Sequence, residues 1–157
     1  MIKLFCIGKN KDKNLQALCR EYEKRISGFA KLQTEEFRDE PDIHSERQGE
    51  SIRIRQAEGR RVLEKIRDGD FVVLLDLHGS MIDSEAFALK RQKWMAENKD
   101  VVFVIAGSLG PDEELVRRAN FRWKISDLTF THLMCRMLVL EQIYRSFMIE
   151  NNRSYHK

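Results

Sequence analysis

Two uninterrupted apolar runs, Phe71-Val72-Val73-Leu74-Leu75 and Val101-Val102-Phe103-Val104-Ile105, constrain this chain more than any other feature. A strand with one wet face alternates apolar and polar residues. A run without alternation is a strand buried on both faces, which is the habit of parallel sheets covered by helices. The rest of the pattern agrees. Further strand signals lie at Ile2–Gly8, Leu32–Phe37 and, weaker, Phe121–Ser126, with the fourth strand reaching Ala106. Helical periodicity at about 14–27, 50–67, 84–97, 112–119 and 132–149 separates them. The alternation predicts an α/β fold, a mostly parallel sheet with helices on both faces. At 157 residues, with no repeat, low-complexity tract or linker, the chain reads as one domain over 1–157. Its one long irregular stretch, about Arg38–Gly49, is polar and carries Pro41. A loop of that length is either mobile or functional.

Composition narrows the function classes. The 28 basic and 25 acidic residues leave a net charge of +3, which permits an RNA partner without requiring one. Three cysteines, Cys6, Cys19 and Cys135, make neither a disulfide framework nor a metal knuckle. The four histidines lack helical metal-site spacing, so no metal is expected. No apolar run approaches the roughly 18 residues of a membrane span. The opening Met1–Gly8 reads as a core strand rather than a signal peptide, so the expected location is cytoplasmic.

In open α/β sheets, ligands bind beyond the C-terminal ends of the strands. Three segments qualify: Leu75–Gly79, Ala106–Pro111 and Ser126–His132. Their glycines either admit a ligand close to the backbone or simply end strands. The middle segment lacks the spacing of a dinucleotide loop or a P-loop and leads into Pro111-Asp112-Glu113-Glu114. Three carboxylates at a helix start would repel phosphate, so a ligand with little phosphate character, or a cationic one, fits better. Ser108 in Ala-Gly-Ser-Leu-Gly only superficially resembles a nucleophile elbow, and Cys135 reads as core.

The last predicted helix carries two apolar stripes. Leu133, Met137, Leu140, Tyr144 and Phe147 form one, and Met134, Leu138 and Met148 the other. One stripe would pack on the sheet; the other predicts a second subunit, and with it a homodimer.

Taken together, Leu75-Asp76-x-x-Gly79, Ile105-Ala106-Gly107-Ser108-x-Gly110, Leu128-Thr129-Phe130-x-His132-x-x-x-Arg136, Glu141-Gln142-x-Tyr144-Arg145 and the terminal Tyr155-His156 resemble the SPOUT methyltransferases. Within them the pattern resembles the pseudouridine N3-methyltransferases of large-subunit ribosomal RNA (the RlmH family). The likeness covers essentially the whole chain, and its C-terminal motifs are the specific ones. It implies S-adenosyl-L-methionine as methyl donor, a C-terminal trefoil knot, a homodimer with the site near its interface, and 23S rRNA within the assembled ribosome as substrate. By position, Leu75, Ala106, Gly107, Gly110 and the run Ile125, Ser126, Asp127, Leu128, Thr129, Phe130 would hold the cofactor. His132, Arg136, Tyr155 and His156 would face the RNA and carry the catalytic work.

Two positions depart from the family. Ala106 stands where Gly is frequent, and its methyl could crowd the cofactor. Thr131 stands where Pro is frequent before the histidine, which loosens φ and returns an N–H. In the implied chemistry, His156 acts as base or orients the uracil, and Tyr155 stacks on it. Arg136, with no evident local acid, leans towards phosphate, whereas Arg145 fits an i, i+4 pair with Glu141. His132 reads equally as an RNA contact or as the start of the last helix. Lys9, Lys11, Lys13, Arg60, Arg61, Lys65 and Arg67 form either an RNA-facing surface or a solvated face. The rival readings are a methyltransferase of the same fold with another target base, and a non-catalytic α/β module that binds RNA or the ribosome.

Overall fold

The computed structural model describes every residue of the chain except Ile43 and Ser45. Five strands, β1 (Ile2–Ile7), β2 (Leu32–Phe37), β3 (Phe71–Ser80), β4 (Val101–Ile105) and β5 (Phe121–Trp123), alternate with five helices. The helices are α1 (Lys13–Ser27), α2 (Gln48–Leu63), α3 (Ser84–Glu97), α4 (Glu113–Arg118) and α5 (His132–Glu150). The strands form one sheet in the order β2-β1-β4-β3-β5, with every neighbouring pair parallel. The doubly buried runs therefore occupy two of the three interior positions, β4 and β3, and the third, β1, is buried along its whole length.

Alternate side chains of β1 serve two cores. Ile2, Leu4 and Cys6 join residues of α1, α3 and α5, among them Cys19, Phe87, Trp94 and Leu140. Phe5 and Ile7 join Val62 of α2 and Leu115 of α4 on the opposite face. Helix starts are fixed by side-chain caps on orphan backbone N–H groups. Asp12 caps α1, Asp83 caps α3 and Asp112 caps α4. Thr131 Oγ1 accepts from Met134 N at 3.2 Å and so caps α5, a bond that a proline at this position could not make.

Several expected boundaries move. Most of Arg38–Gly49 is irregular, but α2 takes Gln48 and Gly49; Ile43 and Ser45 lie outside the described residues. The weak fifth strand ends at Trp123, so residues 124–131 are all connection. The largest correction concerns Leu75–Gly79, read above as a loop. β3 continues to Ser80, and both Leu75 and Ser80 register with Trp123 across an irregularity. Asp76 is buried there, accepting from Arg122 Nε at 2.7 Å and from His78 N at 2.9 Å. Its polar character builds a strand rather than a ligand loop.

α5 also differs from expectation. It lies between α1 and α3 on the sheet, and Met137, Val139, Leu140, Ile143, Phe147 and Met148 are all buried within the single chain. Two flanking helices account for most of its two-sided apolarity. Of the second stripe only Met134 is exposed, and Leu138 is half-buried.

Gly79 is fixed by close approach: an added Cβ would lie 2.4 Å from the Arg122 carbonyl oxygen. Backbone cannot yield there as a flexible side chain would, so Gly79→Ala should destabilise the protein by roughly 1–3 kcal/mol or more, as overpacking does. The midpoint of urea unfolding reads this; an unchanged midpoint would contradict the close β3–β5 contact.

Candidate functional site

The parallel order places the C-terminal ends of β4, β3 and β5 side by side. Ala106–Pro111 leaves β4, and residues 124–131 leave β5, at the same edge. Gly110 N donates to the Gly107 carbonyl at 3.0 Å, closing the first of these segments into a turn. Leu75 and Ile125 pack against the α1/α3/α5 core, while Ala106 belongs to the other core. The Ala106 methyl thus has a packing role.

The 124–131 connection is open. Asp127, Leu128 and Thr129 are exposed, Leu128 to 70%, while Ile125, Ser126 and Phe130 are partly covered. Asp127 pairs with Lys124 at 2.5 Å, and Ser126 Oγ accepts from Leu128 N at 3.0 Å. Among the described residues, no backbone group of Ile125–Phe130 is hydrogen-bonded to another backbone group. Apart from Leu128 N, the amides and carbonyls of Ile125–Phe130 are available to bind the edge of a planar heterocycle. At Gly107 an added Cβ would lie 3.0 Å from Glu58 Oε1, so a side chain there would fill the space. These features fit a nucleoside-type cofactor without a phosphate group.

A cavity of about 260 Å³ adjoins this edge beyond the C-terminal ends of β1 and β4. Gly107, Ser108, Ile7, Glu58 and His132 line it, with Asp39 to Asp42 along its rim. The second and third sequence-predicted segments therefore meet here, through Gly107 and His132. Glu58 was not foreseen. It is buried, its Oε2 accepts from Glu40 N at 3.1 Å, and burial pushes its carboxyl pKa up against that bond. His132 is half-buried, and burial first and then the Arg136 charge push its pKa down, against the pull of Asp39. Both shifts run towards the neutral form. The signal for this wall was the irregular Arg38–Gly49 stretch, which supplies the rim.

Arg136 corrects the sequence reading. It is 3% exposed, and it donates to Glu36 Oε2 at 2.5 Å and to the Gly8 carbonyl at 2.6 Å. Its acid comes from β2, a hundred positions away, and its guanidinium faces inward rather than towards a phosphate. Burial alone would push the Glu36 carboxyl up, but hydrogen bonds from Arg136 and Asn10 N hold it below the usual range.

The terminal residues are ordered by a network on α1 and α5. Tyr155 Oη lies 3.1 Å from both Tyr22 Oη and Glu141 Oε1, and its ring packs edge-on to Tyr144 at 4.9 Å. Burial and these hydrogen bonds push the Tyr155 phenol well above its ordinary pKa. Its ring is engaged within the chain, contrary to the stacking role expected for it. Arg145 binds Glu141 as the i, i+4 spacing predicts, at 2.6 Å, and also approaches His156 Nδ1 at 3.2 Å. Within one chain the tail and the His132 cavity are separate. Glu141 and Arg145 are nine and thirteen positions beyond His132, roughly 14–20 Å along the helix.

Of the expected basic surface, Lys9, Lys11, Lys13, Arg60, Lys65 and Arg67 are exposed, whereas Arg61 is paired with Glu40 and the Arg38 carbonyl. Among the described residues there is no cluster of three or more His, Cys, Asp or Glu side chains able to hold a metal, and no helix long and apolar enough to cross a membrane.

The fold is a parallel α/β sheet whose open 124–131 connection lies at the C-terminal edge, immediately before the last helix. A family described as "Predicted SPOUT methyltransferase" matches residues 1–156. Proteins named "Ribosomal RNA large subunit methyltransferase H" are 41% identical in Acetivibrio thermocellus, over 99% of both chains, and 41% in Desulforamulus reducens, over 99% of this chain and 98% of that one. The same name belongs to a relative from Bifidobacterium animalis subsp. lactis at 40% identity, over 99% of each. The solved structure of a probable methylase family protein from Haemophilus influenzae Rd KW20 superposes with a TM-score of 0.54 at 16% identity, over 99% of this chain and 70% of that one. The chain belongs to the SPOUT methyltransferase family.

Glu58 gives a pH-dependent prediction. An acid whose folded pKa is raised burdens the fold only when deprotonated, so the burden is absent below the unfolded value of about 4.3 and grows as pH rises above it. Glu58→Gln removes it. The variant's urea midpoint should improve relative to the native chain between about pH 4 and neutrality; a difference constant with pH would contradict the strained carboxyl.

Proposed function

We propose that this protein methylates N3 of a pseudouridine in 23S ribosomal RNA, using S-adenosyl-L-methionine and acting on the assembled ribosome. The observation that carries the reading is the open Ile125–Phe130 connection, whose backbone groups make no bonds to other backbone groups, beside Gly107 in a chain of this family. Leu75, Ala106, Gly107, Gly110 and Ile125–Phe130 would hold the cofactor, and the family implies a trefoil knot around them. Bound there, the cofactor would supply a methyl already activated on a sulfonium. The chain's own task is then to hold the target in line and to manage the N3 proton.

The separation between the His132 cavity and the tail supports a homodimer. A second copy can bring its Tyr155-His156 end to the cofactor edge of the first. Leu77 on β3, Met81 just beyond it, Leu89 on α3, Leu128 in the 124–131 connection and Met134 at the start of α5 are exposed apolar side chains suited to cover by such a partner. A net charge of +3 is small for binding naked RNA by charge alone, which favours recognition of a folded ribosomal surface. A soluble protein working on ribosomes is expected in the cytoplasm.

Calorimetric titration should detect S-adenosylmethionine or its demethylated product binding at micromolar to sub-millimolar levels; no binding of either would remove the methyltransferase reading. Deleting Tyr155–Lys157 should abolish transfer of labelled methyl to ribosomes while leaving cofactor affinity nearly unchanged, with a lower unfolding midpoint from the lost Tyr155 contacts but a cooperatively folded chain. Full activity of the truncated chain would remove the tail from the chemistry.

A further inference from the structure

The bond between Arg145 and the terminal histidine constrains what that histidine can do. Arg145 Nη1 lies 3.2 Å from His156 Nδ1. A guanidinium carries only donors and stays charged, so the nitrogen facing it must offer a lone pair. In the neutral ring the proton then resides on Nε2. Arg145 is itself held by Glu141, through Nε at 3.0 Å and Nη2 at 2.6 Å, and its charge lies 4.8 Å over the Tyr155 ring. Glu141 also receives the Tyr155 hydroxyl, which is anchored to Tyr22. Glu85 of α3 faces the other side, 3.7 Å from Nε2, too far for a hydrogen bond, and is itself largely exposed. The imidazole therefore has one nitrogen occupied as an acceptor and one carrying hydrogen.

We propose that Glu141 and Arg145 are positioning residues that fix His156 with its Nε2–H outward as a hydrogen-bond donor to a carbonyl oxygen of the target uracil, and that His156 is not the base that removes the N3 proton. The inference rests on the methylation reading above and deepens it. When N3 loses its proton, the negative charge spreads onto the flanking carbonyl oxygens. A donor already aimed at one of them stabilises that charge without reorganisation. The proton passes to solvent water, the N3 lone pair forms the new bond to the methyl carbon, and the electrons of the broken C–S bond remain on sulfur.

The test uses the full-length protein with 15N-labelled histidine. Imidazole nitrogen shifts are recorded at mildly alkaline pH, and His156 is assigned by its loss in His156→Gln. Nδ1 should show the shift of an unprotonated acceptor and Nε2 that of a protonated nitrogen, and Arg145→Met should move the pair towards an averaged mixture. A kinetic arm compares two tail variants that leave Arg145 and the core intact. His156→Gln keeps an N–H donor but no base, so it should retain at least about tenfold more methyl transfer than His156→Ala, with cofactor affinity equal in both. A proton found on Nδ1, or equal activity in the two variants, would overturn the proposal. The nitrogen shifts do not depend on cofactor or RNA, so failure of the methylation reading, seen as absent cofactor binding, is distinguishable from failure of this one.

Discussion

Two buried arginines fasten the last helix, to which the 124–131 connection and the terminal tail are both attached. Arg136 ties the first turns of α5 to the Gly8 carbonyl, just beyond β1, and to Glu36 of β2. Arg91 of α3 holds its far end through Ser146 at 3.0 Å and Glu150 at 2.5 Å, with Phe147 beneath the guanidinium at 3.7 Å. A buried guanidinium is costly unless paired, and removing its partner typically costs about 3–5 kcal/mol. The pairs therefore act less as net stabilisers than as register pins. A displaced α5 would strand both charges.

That pinning fixes the geometry at the two ends of the helix. At its start, Thr131 and His132 anchor the open connection that borders the Gly107 cavity. Along its second half, Glu141 and Arg145 anchor the returning tail. One rigid element thus carries two polar groups of residues that a single chain keeps apart. The proposed pairing of two chains gives this separation a use, since each copy would offer one end to the other.

The doubly wound fold was legible because its evidence is local. Phe71–Leu75 and Val101–Ile105 announce doubly buried strands, and the helices between them carry their own caps at Asp12, Asp83 and Asp112. Long-range pairing was not legible. The extension of β3 to Ser80 depends on Arg122 neutralising Asp76 and on Gly79 pressing against the Arg122 carbonyl, neither of which leaves a trace in the spacing of residues 75–80. Arg136 was misread for the same reason: its partner Glu36 lies a hundred positions away in sequence. Within the site, the Ser126–His132 and Gly107 segments could be named from strand-end logic, while Glu58 could not, because a single acid on an amphipathic helix looks solvated until the rim of residues 39–42 closes over it. The roles of Tyr155 and His156 came by resemblance, and their chemical state only from Arg145, Glu141 and Tyr22.

The central claim is that this chain modifies a base in large-subunit ribosomal RNA. Mass spectrometry of that RNA from cells with and without the gene tests it most directly. The account predicts a methylated pseudouridine, heavier than its precursor by one methyl, present with the gene and absent without it. Identical modification in the two RNAs would contradict it.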